Sequence, residues 1–203
     1  MALEFARSVK RRKNYLDVGG GGGGLYSSEF RPLFENSVCL DLVTPATGIL
    51  NISGDAHILP LKDSCIDFIT AFEVIEHLEH PWVAFKEIAR VLHRGGFFVS
   101  TVPMYWHVHG WPSDYWRFTA DGLKLLAKDA GLVTVFVRPM AGPAILWSMV
   151  AVNTFGLNKD PFRRVLGVLF TWICYLIDRI IFPHPERMKN PDTRGWLFIA
   201  SKP

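Results

Sequence analysis

The stretch from Asn14 to Gly24, Asn-Tyr-Leu-Asp-Val followed by six consecutive glycines, constrains this chain more than any other. Tyr15, Leu16 and Val18 read as a short buried strand, and the glycines strip every side chain from the turn that leaves it. A strand running into a glycine turn and then a helix presents backbone N–H groups to a ligand that approaches closely, as nucleotides do. The spacing Gly19-x-Gly21-x-x-Gly24 satisfies the dinucleotide pattern, but six glycines in a row satisfy almost any glycine pattern. A flexible linker after a surface strand would look similar. Asp17 discriminates better. Beside a pyrophosphate its carboxylate would meet like charge, whereas an ammonium or sulfonium would be attracted. This residue favours S-adenosylmethionine over a nicotinamide cofactor.

With 49% hydrophobic and 20% charged residues, the 203 positions suffice for a single domain, 1–203, with a sizeable core. A net charge of +3 is too small to argue for nucleic acid. The only dense basic run, Arg7 with Lys10 to Lys13, suits a solvated or membrane-facing arm. Cys39, Cys65 and Cys174 are odd in number and widely spaced, so a reducing cytoplasm is expected rather than a disulfide framework. Met1 to Lys13 lacks the apolar core of a signal peptide.

Along the chain, a short helix over Leu3–Lys13 precedes the first strand and leaves little protein to form a lid. Tyr26–Phe34 reads as a helix shortened by Pro32, and Ser37–Leu42 as the second strand. Asp41 then falls about 20 residues beyond the glycine turn, where an acidic group grips a ribose; as a bland alternative it caps a turn. Leu50–Ser53 is a third strand, followed by Asp55-Ala56, and an Asp at a strand end can accept from an exocyclic amino group. Ile66–Phe72 is a buried fourth strand ending in Glu73-Val74-Ile75-Glu76-His77. The helix Trp82–His93 carries the i, i+3, i+4, i+7 stripe Phe85, Ile88, Ala89 and Leu92, and Arg94-Gly95-Gly96 ends it. Phe97–Val102 is a fifth strand. Thr119 caps the next helix and Gly131 closes it; Val133–Val137 and, much later, Trp196–Ala200 complete the strands. This alternation predicts an α/β fold with a parallel, doubly wound sheet.

These residues resemble a family. Leu16-Asp17-Val18-Gly19-x-Gly21 looks like the first motif of class I S-adenosylmethionine-dependent methyltransferases. Gly54-Asp55-Ala56-x-x-Leu59-Pro60, Ile66-Asp67-Phe68-Ile69, Glu73-Val74-Ile75-Glu76-His77-Leu78 and Glu87-Ile88-Ala89-Arg90-Val91-Leu92-x-x-Gly95-Gly96 resemble its later motifs, in order. The segment His109-x-x-Pro112-x-Asp114-Tyr115-Trp116-Arg117-Phe118-Thr119 is similar, more narrowly, to bacterial methyltransferases linked to surface-glycan assembly. The resemblance implies a Rossmann-like, seven-stranded methyltransferase sheet. It also implies that Asp17 holds the methionine ammonium and that Gly19 and Gly21 admit the cofactor backbone. Asp41 would take the ribose, Asp55 and Ala56 the adenine, and Glu73 and Val74 would lie beside the reactive end. The extra glycines at Gly20, Gly22 and Gly23 depart from the family and lower the loop's preorganisation.

Methyl transfer from a sulfonium needs alignment and, for a hydroxyl acceptor, a base. His107, His109 and Asp114 lie after the fifth strand among Tyr105, Trp106, Trp111, Tyr115 and Trp116. His109 and Asp114 stand as candidate catalytic residues, against the plainer possibility that Asp114 and Arg117 pin the loop as an ion pair. His77 reads as a helix-start residue packed under the site. His107-x-His109 supplies only two ligands at metal-binding spacing, so no metal is expected. Residues 139–195 form a hydrophobic helical insertion: Pro143–Phe155 and Val165–Ile177 are almost wholly apolar and too short to span a bilayer. Flanked by Lys159, Arg163, Arg164 and Arg179, they suit a membrane surface or a homodimer interface, or pack on their own domain. The expected protein is cytoplasmic, peripheral to the inner face of the membrane, and O-methylates a glycan, lipid-linked or other amphipathic small molecule. A non-catalytic partner that keeps the fold, or a nicotinamide-dependent reductase, are the rivals.

Overall fold

The apolar runs Tyr15–Val18, Ile66–Ala71 and Trp196–Ala200 become strands buried on both faces, as the interior of a covered sheet requires. The computed structural model describes residues 1–10, 13–20, 27–43, 50–109, 113–157, 159–181 and 192–203. Its strands are β1 (Asn14–Val18), β2 (Asn36–Asp41), β3 (Asn51–Ser53), β4 (Ile66–Phe72), β5 (Leu92–Pro103), β6 (Val133–Pro139) and β7 (Gly195–Ser201). They form one sheet in the order β3-β2-β1-β4-β5-β7-β6. The first six run parallel; β7 is antiparallel to both neighbours, β5 and β6. The order reverses beside β1, which puts a crevice at the carboxyl ends of β1 and β4.

Two layers cover the sheet. On one face α2 (Pro81–Val91) and α3 (Ala120–Asp129) pack Phe85, Ile88 and Leu123 against Leu16, Ile69, Phe98 and Phe198. On the other, α1 (Ala2–Ser8) and two short 3-10 turns, Ser27–Glu29 and Arg31–Leu33, enclose an aromatic core of Tyr15, Phe30, Phe34 and Phe68. Tyr15 stacks on Phe34 with ring centroids 5.0 Å apart.

The elements differ from the sequence expectation in three places. The described part of the Tyr26–Phe34 helix is a pair of 3-10 turns, with Pro32 near the start of the second, where its missing N–H costs nothing. The first helix stops at Ser8 instead of reaching Lys13. Arg94-Gly95-Gly96 does not interrupt the chain as a turn but lies inside β5. Pairing jumps there from Ile66↔Leu92 to Phe68↔Phe97, a bulge that Gly95 permits at φ 78°. Thr119 caps α3 as expected, its Oγ1 accepting from Gly122 N–H at 3.1 Å.

Between β6 and β7 stand two helices, α4 (Pro143–Thr154) and α5 (Pro161–Ile181). Asp178 of α5 is buried and accepts from Ala144 N–H and Ile145 N–H, each at 2.9 Å. It thereby satisfies the unpaired donors at the start of α4 and locks the hairpin. No described helix is long and apolar enough to cross a membrane.

Candidate active site

A cleft of about 430 Å³ opens at the carboxyl ends of β1 to β4. Val18 and Gly19 form its floor, Asp41 and Leu42 one side, Gly54 to His57 another, and Glu73, Val74, His77 and Tyr115 the far end. Of the residues anticipated from sequence, Gly19, Asp41, Asp55, Ala56, Glu73 and Val74 all line this one space. They come from four separate segments. Gly19 has φ 72°, and a Cβ there would overlap the Val74 side chain, so only glycine fits. Gly19 N–H donates to Leu40 C=O at 2.7 Å, which ties the turn to β2.

Two of the anticipated residues, Asp17 and Asp55, make further contacts in place. Asp17 is not in the cleft wall: it is buried beneath the turn, where its carboxylate packs under Gly20 and accepts from Thr70 Oγ1 at 2.8 Å. Its side chain leaves β1 on the same face as Tyr15, whose hydroxyl lies 2.6 Å from the same Thr70 oxygen. Gly21 lies outside the described residues. Asp55 accepts from His57 N–H at 2.8 Å, and its Oδ1 is 2.6 Å from His57 Nδ1. Burial would raise its pKa, but these hydrogen bonds and the neighbouring imidazole hold it below its usual value. His57 was missed because nothing in its spacing sets it apart from a surface histidine.

A second cavity, about 380 Å³, lies against the first. Its walls are Met1, Ala2 and Leu3 of α1, Phe30, Phe72, Pro139, Met140 and Leu197, with Glu29, Glu73, Thr101 and Arg194 as the polar groups. The N-terminal segment, expected to be too short for a lid, thus supplies one wall. Glu73 lines both cavities and has φ 54°, a left-handed backbone that costs free energy in a non-glycine residue and recurs at functional sites. Arg194 Nη2 lies 3.4 Å from Glu73 Oε2, and the same guanidinium sits 4.9 Å over the Trp106 ring.

Residues 113–118, with 104–109 beside them, close the far end. Tyr115 N–H and Trp116 N–H donate to Glu76 C=O, and Trp116 Nε1 to Leu78 C=O at 2.9 Å. Arg117 binds both oxygens of Asp114 and reaches the carbonyls of Trp106 and His107. The Asp114 side chain is almost fully buried and also accepts from His109 N–H. Its pair with Arg117, then that N–H, hold the carboxyl far below the usual carboxylate range, and a carboxylate so held is a poor proton acceptor. The plainer reading, a loop-pinning ion pair, is what the geometry displays. Neither His109 nor Asp114 lines either cavity. His109 instead stacks edge-on with His77, centroids 5.2 Å apart, beside Glu76. The Glu76 carboxyl is fully buried with no hydrogen-bond partner on either oxygen. Burial, with the charges of Glu73 and Asp114 nearby, pushes it up to about 8.

Residues 16–100 match the family model described as "Methyltransferase domain". The fold is that of Rossmann-like methyltransferases. Among solved structures, a S-adenosylmethionine-dependent methyltransferase from Methanosarcina mazei is similar over 98% of this chain and 96% of its own, at 13% identity and TM-score 0.61. The [4+2]-cyclase SpnF matches 100% of this chain and 80% of its own, at 17% identity and TM-score 0.65. Phosphoethanolamine N-methyltransferase 2 from Haemonchus contortus, in complex with S-adenosyl-L-methionine, matches 99% of this chain and 51% of its own, at 19% identity and TM-score 0.62. No curated protein matches the chain. In this methyltransferase fold, the first cleft stands where the strand ends of an open α/β sheet hold a nucleotide.

Proposed function

We propose that this chain is a S-adenosylmethionine-dependent methyltransferase that acts on an oxygen of an amphipathic acceptor, a lipid-linked glycan being the class that fits best. The observation that carries the reading is the meeting of two cavities at one carboxylate, Glu73. S-adenosylmethionine is the cofactor of this fold family, and bound in the first cleft it supplies a sulfonium methyl group. The residues suit it: Asp41 offers a carboxylate to ribose hydroxyls, Leu40, Leu42, Ala56 and Leu78 offer apolar walls to a base, and Gly19 gives close backbone approach. The larger part of the second cavity's wall is apolar, and its polar groups gather around Glu73 and Arg194. That suits an acceptor with a greasy body and one hydroxyl.

Within this reading Glu73, at the junction, receives the acceptor's proton, and Arg194 orients it. His109 and Asp114 then position the 104–118 segment rather than abstract the proton. The apolar outer face of α5, with Lys159, Arg163, Arg164 and Arg179 around it, supports docking to an anionic lipid surface, which would bring a lipid-linked acceptor to the second cavity.

A second reading keeps the nucleotide and discards the methyl transfer. It is favoured by the likeness to SpnF, described as a cyclase, over the whole length of this chain. Calorimetric titration with S-adenosylmethionine, S-adenosylhomocysteine and NAD, followed by transfer of a labelled methyl group to lipid extracts, separates the readings. Binding of both sulfur nucleotides with label in the lipid fraction is expected. Binding without label in any fraction favours the second reading. Binding of NAD alone overturns both in favour of a reductase.

A further inference from the structure

In the sequence His107 and His109 form only an incomplete ligand pair. The fold adds two ligands from a distant segment. Glu76 and His77, in the turn after β4, meet His109 from the segment after β5, and one ligand atom from each lies within 4.8 Å of the others. Bonds of about 2.0–2.2 Å to a shared ion put ligand atoms roughly 3–3.5 Å apart, so modest side-chain rotation closes the set.

Two further observations point the same way. Glu76 is fully buried, and neither carboxylate oxygen has a hydrogen-bond partner. Leaving such a group unsatisfied is costly, and His77 Nε2 lies 3.7 Å from Oε1. Both imidazoles, in addition, are oriented from behind. His77 Nδ1 is 2.5 Å from the Ser113 carbonyl, which only accepts, so Nδ1 carries the proton and Nε2 keeps its lone pair. His109 Nδ1 lies 3.3 Å from Asp114 Oδ2 and 3.2 Å from the His107 carbonyl, two further acceptors. A ring nitrogen backed by a carbonyl or carboxylate is the arrangement that aims histidines at metal ions.

We propose that Glu76, His77 and His109 bind a divalent transition-metal cation at the inner end of the 104–118 segment. Two imidazoles and one carboxylate suit zinc, cobalt or manganese over magnesium or calcium, which prefer all-oxygen sites. Three protein ligands leave coordination positions open. Because His77 also lines the first cleft, the ion cross-links that cleft to the segment carrying Tyr115 and Arg117. The inference does not depend on which nucleotide the cleft takes.

The test uses the full chain, stripped with chelator and free of any histidine tag. Calorimetric titration with zinc, manganese and magnesium chlorides is paired with cobalt titration read by visible absorption. Uptake of about one equivalent of zinc and a cobalt d–d band are expected, with a higher Tm and little response to magnesium. Glu76→Gln and His109→Ala should each weaken uptake by about a hundredfold, while His93→Ala leaves it unchanged. Glu76→Gln preserves the size of the buried side chain, so that variant stays informative if His109→Ala proves unstable. No uptake by the wild type, or uptake intact in Glu76→Gln, overturns the proposal and leaves only adventitious surface histidines.

Discussion

The sheet and the α4–α5 hairpin draw on the same apolar residue types and use them in opposite ways. In β4, Ile66 to Ala71 are buried without a break, Asp67 and Thr70 included. In α5 only Gly167, Cys174 and Asp178 are buried, while Leu169, Trp172 and Ile173 are 55–60% exposed. Within the hairpin, Leu146 and Ser148 of α4 and Gly167, Cys174 and the capping Asp178 of α5 are buried, while the large side chains of α5 are not. An apolar sequence therefore does not by itself mark a core. What decides is whether a neighbouring element covers it, and among the described residues none covers the outer face of α5. The seam between α4 and α5 is internal to the hairpin, and the outer face of α5 lies uncovered among the described residues.

The largest effect that separates the two regions is a core truncation. Ile69 is fully buried among Leu16, Phe98 and the α2 side chains. Ile69→Ala should cost about 2–5 kcal/mol, the transfer term plus an unfilled cavity. Chemical denaturation of the folded variant checks this. A cost below about 1 kcal/mol would mean that the sheet is no better packed than the hairpin.

Next comes the cleft. Asp41 lies in the cleft wall at the end of β2, and Asp41→Ala removes charged hydrogen bonds worth about 1.5–3 kcal/mol. Affinity for S-adenosylhomocysteine should fall about tenfold to a hundredfold with Tm almost unchanged. An unaltered dissociation constant in a folded variant would take Asp41 out of the ligand's reach.

How much of this was legible depended on the kind of signal. The strands could be read because two-sided burial writes continuous apolar runs, and the cleft residues because glycine and acidic residues recur at strand ends in a fixed order. Asp17 stands at its expected place on β1, and its carboxylate meets Thr70 and the underside of the turn at Gly20. The second cavity was invisible: Met1, Glu29, Pro139 and Arg194 share no spacing and meet only through the sheet order. The Glu76–His77–His109 cluster was hidden for the same reason, because its members come from the ends of adjacent strands, β4 and β5.

A smaller effect distinguishes the clamp behind the cleft. Glu87 accepts from Leu59 N–H at 2.8 Å and from Arg90 at 2.7 Å, and Arg90 in turn holds the Leu59 and Leu61 carbonyls. The Arg90 hydrogen bond, more than any other cause, keeps the Glu87 carboxyl below its ordinary 4.5. A depressed folded-state pKa gives stability that is present above the unfolded value and lost as pH falls through the folded one. Glu87→Gln should therefore cost about 1–2 kcal/mol near neutrality, and the deficit should shrink as pH drops below about 4.5. Thermal melts across that range test it; a deficit that grows on acidification contradicts the assigned sign.

The smallest stability effect belongs to the outer face of α5, and it carries the sharpest contrast. Ile173 is 56% exposed, so Ile173→Ala should change stability by no more than about 0.5 kcal/mol, where Ile69→Ala costs several times that. Trp172→Glu on the same face should be equally mild in denaturation. If the face meets anionic lipid, however, a carboxylate there is repelled by the headgroups and forfeits apolar burial, so co-flotation with anionic vesicles should collapse while the fold persists. Raising salt should weaken the wild type's flotation in part, because the basic residues around the face contribute through a screened attraction. A wild-type protein that ignores vesicles but runs as a dimer, and reverts to monomer in Trp172→Glu, assigns the face to a second copy of the chain. A monomer that ignores vesicles leaves the exposed face of α5 without either occupant and removes the lipid surface from the proposed function.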